Sequence, residues 1–101
     1  RAPCTCNTVL LERVPKPLIV EDPRGLVKVV ADSKTHEVVG VHILAALAPE
    51  MIHEGVLAVK HGLTLEDILE TVHVFPTYTE AIKTAAMSFF EDVNRLTCCA
   101  L

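Results

Sequence analysis

The sequence lacks several features that would assign it to a common functional class. Its four glycines are dispersed, so it has no glycine-rich loop of the kind that binds nucleotide phosphates. Its nine lysine and arginine residues are scattered and its net charge is −4, which excludes the basic patch of a nucleic-acid-binding protein. No apolar run approaches the roughly 18 residues that span a bilayer, and the N-terminus lacks the layout of a signal peptide. These absences predict a cytoplasmic protein without nucleic-acid or membrane partners.

Length and composition predict one small domain. The chain has 101 residues, of which 50% are apolar, which is enough for a core but leaves its stability marginal. The chain starts at Arg1 rather than at a methionine, within sequence that favours a strand. We therefore expect a segment of a longer protein that is stabilised in part by a partner.

The four cysteines form two close pairs, Cys4 with Cys6 and Cys98 with Cys99. A disulfide between the adjacent Cys98 and Cys99 would close almost no loop and would strain the peptide between them. Cys4 and Cys6 are closer together in the sequence than the cysteines of usual zinc sites. A zinc site that both cysteine pairs share is nevertheless one interpretation. Two other interpretations of Cys4 and Cys6 remain: they are incidental thiols, or they form an auxiliary metal-binding pair. Because exposed thiols are prone to oxidation, the terminal pair is the stronger candidate for a functional site.

The first half of the chain is rich in residues that favour strands. Residues 5–12 predict a strand, and the three prolines of the following VPKPLIVEDPRG predict a connection with only short extended pieces. Residues 25–31 and 37–44 are rich in β-branched side chains and flank the polar stretch 32–36. This pattern predicts an antiparallel hairpin at the centre of a sheet.

The stretch APEMIHEGVLAVKHG predicts an amphipathic helix. Pro49 stands at its start, and Gly62 is in position to cap its C-terminus. Ile52, Val56 and Val59 recur at three- and four-residue spacing, which predicts that they share the apolar face of this helix.

Two further helices are predicted by capping-box patterns. Thr64 and Asp67 have this spacing in TLEDILETV, and Thr77 and Glu80 have it in TYTEAIKTAAMSFFEDV. Strands followed by helices predict an α+β fold, an antiparallel sheet with helices packed on one face.

The histidines do not indicate a catalytic site. All five are spread along the chain, and no serine, histidine and acid arrangement is indicated by their spacing. His53 lies on the helix face opposite Ile52 and Val56, which is typical of a solvated surface residue. Composition and spacing alone therefore predict a small α+β domain with an exposed thiol pair.

A long part of the chain resembles a known domain. The run RGLVKVVADSKTHEVVGVHILAALAPEMIHEGVLAVKHGLTLEDILETVHVFPTYTEAIKTAA is similar to the C-terminal dimerisation domain of the flavin-dependent pyridine nucleotide-disulfide oxidoreductases, the family of lipoamide dehydrogenase and glutathione reductase. Within that family, TVLLERVPKPLIVEDPRGLVKVV and FFEDVNRLTCCA resemble the mercuric reductases. The family domain begins with an additional strand. The resemblance therefore implies that residues 1–93 are this domain without its first strand and that residues 94–101 are a flexible Cys-Cys tail.

The resemblance is informative around residue 75. Disulfide-reducing members carry a histidine there that acts as acid and base for a thiol substrate, with a glutamate five residues later, whereas this chain has Phe75, Pro76 and Glu80. Phenylalanine cannot transfer a proton, which disfavours dithiol exchange. Mercuric reductases are similar in having phenylalanine before the proline, but a tyrosine usually follows it directly, and here Thr77 precedes Tyr78. The resemblance implies that Phe75, Pro76 and Tyr78 lie near the partner subunit's flavin. For Tyr78, an ordinary position in the first turn of a helix is an equally good interpretation.

The resemblance also implies a role for the terminal cysteines. Hg(II) is a soft cation that prefers thiolates and moves between them by exchange. Cys98 and Cys99 would take Hg(II), or its thiol complexes, and deliver it across a homodimer to an inner cysteine pair beside FAD. Flavin reduced by NADPH would then reduce the ion to Hg(0). The resemblance does not distinguish NADPH from NADH as the electron donor. The flavin, nicotinamide and inner cysteine sites lie outside this chain, so the chain alone is expected to be inactive.

Three interpretations follow from the sequence. The first is a dimerisation and Hg(II)-delivery domain of a mercury-reducing enzyme. The second is the same domain from a flavin-dependent reductase of another substrate, with an incidental cysteine tail. The third is a zinc-binding interaction module.

Overall fold

The computed structural model describes residues 3–92. The predictions for Cys98 and Cys99, and for a boundary between residues 93 and 94, lie outside the described residues. In chain order the elements are β1 (Cys4–Leu10), a 3-10 turn (Leu11–Arg13), α1 (Pro15–Ile19), β2 (Leu26–Asp32), β3 (Val38–Leu44), α2 (Ala48–Lys60), α3 (Leu65–Glu70) and α4 (Glu80–Met87).

The strands of residues 3–92 form one antiparallel sheet in the order β1-β2-β3. The predicted hairpin of β2 and β3 is confirmed, with Val29 opposite Val41, and β2 is the central strand. The pairing register shifts between Val30 and Ala31, because Ala31 pairs with Val38 and Val30 with Gly40. Val39 is therefore the extra residue of a β-bulge on β3.

The polar stretch 32–36 forms the predicted turn. The carboxylate of Asp32 accepts hydrogen bonds from the backbone N–H groups of Lys34 (2.8 Å) and Thr35 (2.9 Å), which lower the pKa of Asp32. His36 has a φ of 66°, the left-handed conformation that closes the turn. This turn fixes the register of the hairpin.

The prediction of short extended pieces for VPKPLIVEDPRG is wrong, because this stretch contains α1 (Pro15–Ile19). Pro15 and Pro17 fall in the first turn of α1, where backbone N–H groups have no acceptor within the helix. Proline therefore loses no hydrogen bond at these positions, and its fixed φ suits a helix. Leu11, Val14 and Pro17 are buried and attach the segment to the rest of the domain.

The helices pack on one face of the sheet, as predicted. Directly opposed residues of antiparallel strands share a face, so Val9, Val27 and Ile43 lie on the same side. Residues of this inner face form one core with α2 and α4; its buried members include Val9, Val27, Val29, Met51, Ala58, Ala81, Ile82 and Ala85. The described residues thus form the predicted two-layer α+β arrangement.

The predicted apolar face of α2 is not its buried face. Val56 and Val59 are exposed and Ile52 is half-buried, whereas Met51 is buried. Apolar residues occur around much of this helix, so helical spacing alone does not identify the face that is buried. The prediction of its C-terminus is confirmed, because Gly62 has a φ of 63° directly after the C-capping His61.

Gly55 explains which face of α2 is buried. A Cβ atom at this position would lie 2.9 Å from the Cβ of Val41, closer than carbon atoms can pack. The absence of a side chain therefore lets α2 approach β3 closely. The row of Met51, Gly55 and Ala58 turns towards the sheet, and Val56 is left exposed.

The predicted capping box of α3 forms, whereas the Thr77–Glu80 pair makes the expected hydrogen bonds but does not cap α4, whose N-cap Thr79 makes no side-chain cap hydrogen bond. In α3, Asp67 N–H donates to Thr64 Oγ1 (3.1 Å) and Thr64 N–H donates to Asp67 Oδ2 (2.9 Å). Glu80 N–H donates to Thr77 Oγ1 (3.2 Å) and Thr77 N–H donates to Glu80 Oε1 (3.3 Å). The second pair lies before α4 itself, which begins at Glu80.

The other side of the sheet, here called the outer face, carries the residues that alternate with the core positions. One of its rows is Thr8, Lys28 and His42, and Cys6 lies in the next row beside Val30. Thr8, His42 and Cys6 are exposed. Within residues 3–92, none of the helices has the length and apolar character needed to cross a membrane.

Candidate functional site

The segment between α3 and α4, residues 71–79, presents apolar side chains to solvent. Val72 is 92% exposed and Val74 is 74% exposed, and Phe75 is 48% exposed. The Phe75–Pro76 peptide bond is cis. Such exposure is uncommon for residues of this kind, and it makes the 71–79 loop a candidate contact surface.

Hydrogen bonds hold both ends of the 71–79 loop. Thr77 Oγ1 donates to the carbonyl oxygen of Val74 at 2.9 Å, and the same hydroxyl accepts the N–H of Glu80. Lys83 Nζ of α4 donates to the carbonyl oxygen of Thr71 at 3.3 Å. The exposed apolar residues are therefore presented on a segment with fixed ends.

Glu80 is the buried acidic residue of this region. It is 6% exposed, and desolvation by burial raises the pKa of its carboxyl group, although the backbone hydrogen bond from Thr77 opposes this shift. Its carboxylate oxygen Oε1 accepts a hydrogen bond from the backbone N–H of Thr77, which precedes α4. The neighbouring Phe75 offers no group that transfers a proton.

His73 fastens the 71–79 loop to α2. Its Nε2 lies 2.6 Å from Oε2 of Glu54, and its Nδ1 lies 2.9 Å from the carbonyl oxygen of Thr71. The side chain of His73 is only 7% exposed. Both ring nitrogens lie within hydrogen-bond distance of an oxygen atom. The short contact between His73 and Glu54 joins the 71–79 loop to α2 and positions the loop.

An apolar groove of about 550 Å³ runs between α2, α3 and the 71–79 loop. The lining is mostly apolar, and its polar groups include the paired Glu54 and His73. His53 also borders the groove and is exposed, as predicted. The remaining lining includes Leu57, Leu63, Ile68, Val72, Val74, Thr77 and Thr79. The groove is suited to contact with another apolar surface.

The structure places the sequence-predicted site residues on different elements. Phe75 and Pro76 lie in the 71–79 loop, whereas Tyr78 packs partly against the core and its hydroxyl donates to the carbonyl oxygen of Asp22 at 3.5 Å. Cys4 and Cys6 lie on β1 and are exposed. In the described part of the chain, no group of three or more histidine, cysteine, aspartate or glutamate residues is placed to hold a metal ion.

The pairing of Glu54 with His73 is a feature that sequence reasoning missed. The two residues are 19 positions apart and lie on different elements. Nothing in their spacing indicates a contact. The only local signal is that a polar residue, His73, stands between the apolar Val72 and Val74.

Comparison with known proteins identifies related domains. The family described as "Pyridine nucleotide-disulphide oxidoreductase, dimerisation domain" matches residues 1–86. The mercuric reductase of Lysinibacillus sphaericus is 42% identical over 90 residues, which cover 89% of this chain and 16% of that protein. The mercuric reductase of Streptomyces lividans is 41% identical over 94 residues, covering 93% of this chain and 20% of that protein. Mitochondrial dihydrolipoyl dehydrogenase 1 of Arabidopsis thaliana is 44% identical over 72 residues, covering 71% of this chain and 14% of that protein.

Solved structures have the same fold. LpdA from Mycobacterium tuberculosis superposes with a TM-score of 0.82 at 23% identity, over 89% of this chain and 20% of that chain. The HOCl-induced flavoprotein disulfide reductase RclA from Escherichia coli gives a TM-score of 0.79 at 22% identity, over 89% of this chain and 20% of that chain. At these identities the likeness concerns the fold alone. The chain spans a fifth or less of the length of each of these relatives.

Proposed function

The chain belongs to the dimerisation-domain family of the pyridine nucleotide-disulphide oxidoreductases, and from this premise we propose that it is the dimerisation and Hg(II)-delivery part of a mercuric reductase. The observation that carries the proposal is the lack of a proton-transfer group at Phe75. The proposal is supported by mercuric reductase relatives that match 89% and 93% of the chain, against 71% for the Arabidopsis dihydrolipoyl dehydrogenase. We propose a cytoplasmic location for the enzyme.

The surroundings of Phe75 support metal reduction over dithiol exchange. Dithiol exchange requires a positioned group that gives and takes the proton of a thiol. His73 is in the same loop, but its two ring nitrogens are engaged by Glu54 and by the carbonyl oxygen of Thr71. Glu80 is buried, and its carboxylate accepts the backbone N–H of Thr77. Transfer of Hg(II) between thiolates does not need such a group, because the metal itself is the species exchanged.

The proposed assembly is a homodimer in which the partner subunit covers the 71–79 loop. Val72 and Val74 are too exposed to contribute to the core of a single subunit. A partner surface would remove them from water, and it would bring Phe75 and Pro76, followed by Tyr78, towards the partner's flavin.

Sedimentation of the chain tests this assembly. The double substitution Val72→Lys and Val74→Lys should shift the chain towards the monomer, because charges would be buried in the interface. Leu44→Lys is a matched control, since Leu44 is also an exposed apolar residue but lies on β3. Equal association of wild type and double variant would refute the assigned surface.

The flavin and nicotinamide sites are proposed to lie outside the described residues. Within residues 3–92 there is no glycine-rich phosphate loop, since the glycines stand singly at positions 25, 40, 55 and 62. We therefore place FAD and NADPH in the remainder of the full-length enzyme. When bound there, they would supply the two electrons that convert Hg(II) to Hg(0).

The proposed task of Cys98 and Cys99 is ligand exchange. An Hg(II) ion held by two small thiols would form bonds to the sulfur atoms of Cys98 and Cys99, while its bonds to the small thiols break. The protons of the two cysteines would leave with the two released thiols, so atoms and charge balance without a change of oxidation state. A second exchange of the same kind would pass the ion to an inner cysteine pair of the partner subunit.

The test uses the full-length enzyme that contains this chain, with Cys98→Ala and Cys99→Ala together. NADPH oxidation is measured with Hg(II) supplied either as its glutathione complex or as the bromide. The variant should lose activity selectively with the glutathione complex, because only tightly held Hg(II) needs a carrier. Equal activity of variant and wild type with that complex would remove the carrier role from Cys98 and Cys99.

The second candidate is a flavin-dependent reductase of another substrate, favoured by the 44% identity to the Arabidopsis dihydrolipoyl dehydrogenase. Reduction of lipoamide or glutathione disulfide by the full-length enzyme, without Hg(II)-dependent NADPH oxidation, would select this candidate. The zinc-binding module receives no support from residues 3–92, where no metal-binding group of three ligands occurs.

A further inference from the structure

Strand β1 holds Cys4 and Cys6 side by side. It pairs with β2 along its whole length, from Cys4 opposite Asp32 to Leu10 opposite Leu26, so the backbone at both cysteines is extended. Side chains two residues apart on a strand point to the same side. Asn7 and Val9 face the helices, since Asn7 Nδ2 donates to the carbonyl oxygen of Ser88 and Val9 is buried. Cys4 and Cys6 are therefore both on the outer face.

The strand geometry disfavours a disulfide between these cysteines. Two residues of an antiparallel strand advance by about 6.8 Å. Disulfides usually join Cα atoms about 5.5–6 Å apart, and about 6.8 Å is the upper end of their range. Pairing with β2 prevents the backbone at Cys4 and Cys6 from contracting. The fold thus favours a dithiol over a bridge.

The same geometry suits a metal ion bound between two sulfurs. Two thiolates on opposite sides of a metal ion stand about 4.6 Å apart if each metal–sulfur bond is about 2.3 Å long, as for zinc. Side chains that lean towards each other from parallel directions can meet this separation. A tetrahedral angle would require the sulfurs to approach more closely, so a wide angle is favoured.

The surroundings decide which kind of cation fits. Zinc in a structural site takes four ligands, and within residues 3–92 no group of three or more histidine, cysteine, aspartate or glutamate residues is placed to hold a metal ion. Soft cations such as Hg(II) and Cu(I) form stable linear complexes with a pair of thiolates. We propose that Cys4 and Cys6 form a second binding site, which takes one thiophilic cation as a two-coordinate dithiolate. This proposal does not depend on the role of Cys98 and Cys99.

Binding at this site is also an exchange reaction. The ion forms bonds to the sulfur atoms of Cys4 and Cys6, its bonds to two external thiols break, and the cysteine protons leave with those thiols. The pair should bind the ion more tightly than two separate thiols would, because both sulfurs belong to one strand. Once the first sulfur has bound, the second is held at a high effective concentration.

The experiment uses the 101-residue chain with Cys98→Ala and Cys99→Ala, so that the terminal pair cannot contribute. Hg(II) is added in the presence of excess glutathione, and retained mercury is measured after gel filtration together with the ultraviolet absorption of mercury–thiolate bonds. One equivalent of Hg(II) should be retained. A further Cys6→Ser substitution should weaken retention roughly 100-fold, because the remaining thiol has no partner.

A matched control keeps the number of thiols but changes their direction. Thr5 is exposed and points to the opposite side of β1 from Cys6. Thr5→Cys combined with Cys6→Ser therefore gives two adjacent thiols on opposite faces, and it should behave like Cys6→Ser alone. Full retention by either of these variants, or no retention by the chain with Cys4 and Cys6 intact, would overturn the proposal. The outcome is independent of the activity test of Cys98 and Cys99.

Discussion

Gly55 controls how closely α2 packs on the sheet, and its replacement by alanine is a sharp test of that packing. The new Cβ would lie 2.9 Å from the Cβ of Val41 and 3.0 and 3.1 Å from its two methyl carbons. Carbon atoms in contact prefer a separation of about 3.5–4.0 Å. Either α2 moves outward or Val41 is displaced. An outward movement of α2 would also shift Glu54, the residue before Gly55, relative to His73.

Two opposing effects set the magnitude for Gly55→Ala. Alanine is more favourable than glycine in a helix interior by about 0.8–1.0 kcal/mol. Overpacking of a well-packed site costs about 1–3 kcal/mol. The overpacking is the larger effect, so we expect the free energy of unfolding to fall by about 1 kcal/mol. This corresponds to a decrease of about 4–8 °C in Tm for a domain of this size.

Thermal and urea unfolding, followed by circular dichroism, measure the effect. Val41→Ala removes two of the three close contacts, so Gly55→Ala should cost about 1 kcal/mol less in that background than in the wild type. Val39→Ala is the control, because Val39 is on the same strand but is not among the atoms close to Gly55. If Gly55→Ala instead raised stability by the full helix-propensity gain and showed no coupling to Val41, the close-packing argument would be refuted.

Two further predictions concern the paired residues before α3 and α4. Thr64→Ala should lower the free energy of unfolding by about 1 kcal/mol, because Asp67 N–H loses its cap; Thr79→Ala should have little effect, since Thr79 makes no side-chain cap hydrogen bond. Glu80→Gln should stabilise the protein increasingly from about pH 4 to about pH 7. Burial raises the pKa of Glu80, so the wild type has its full stability below the ordinary pKa and loses part of it as pH rises and the carboxyl ionises, whereas glutamine stays neutral. Thermal unfolding across this pH range checks the second prediction, and a difference that shrinks with rising pH would contradict it.

Features that depend on near neighbours were predictable from the sequence. The capping pair of Thr64 and Asp67 follows from a three-residue spacing, because one helical turn brings those groups together. The hairpin of β2 and β3 was predictable for a similar reason, since β-branched runs flank a short polar turn. The helix at residues 15–19 was not predictable in this way, because three nearby prolines predict short extended pieces although proline is tolerated in the first turn of a helix.

The orientation of α2 could not be predicted from its own residues. Ile52, Val56 and Val59 have the spacing of a buried row, yet Val56 and Val59 are exposed. The buried row contains Gly55, which contributes no hydrophobicity to a sequence pattern. Its importance comes from Val41, a residue of another element that needs the space.

The sequence by itself determined the family and the order of the main strands and helices. These features rest on local periodicity and on a run of residues that resembles a known domain. Only the tertiary structure decided that Glu54 contacts His73, that Glu80 is buried, and that Cys4 and Cys6 lie on the outer face. Each of these depends on which surfaces the helices bury against the sheet, because burial and long-range contacts arise from packing between elements that are distant in the chain.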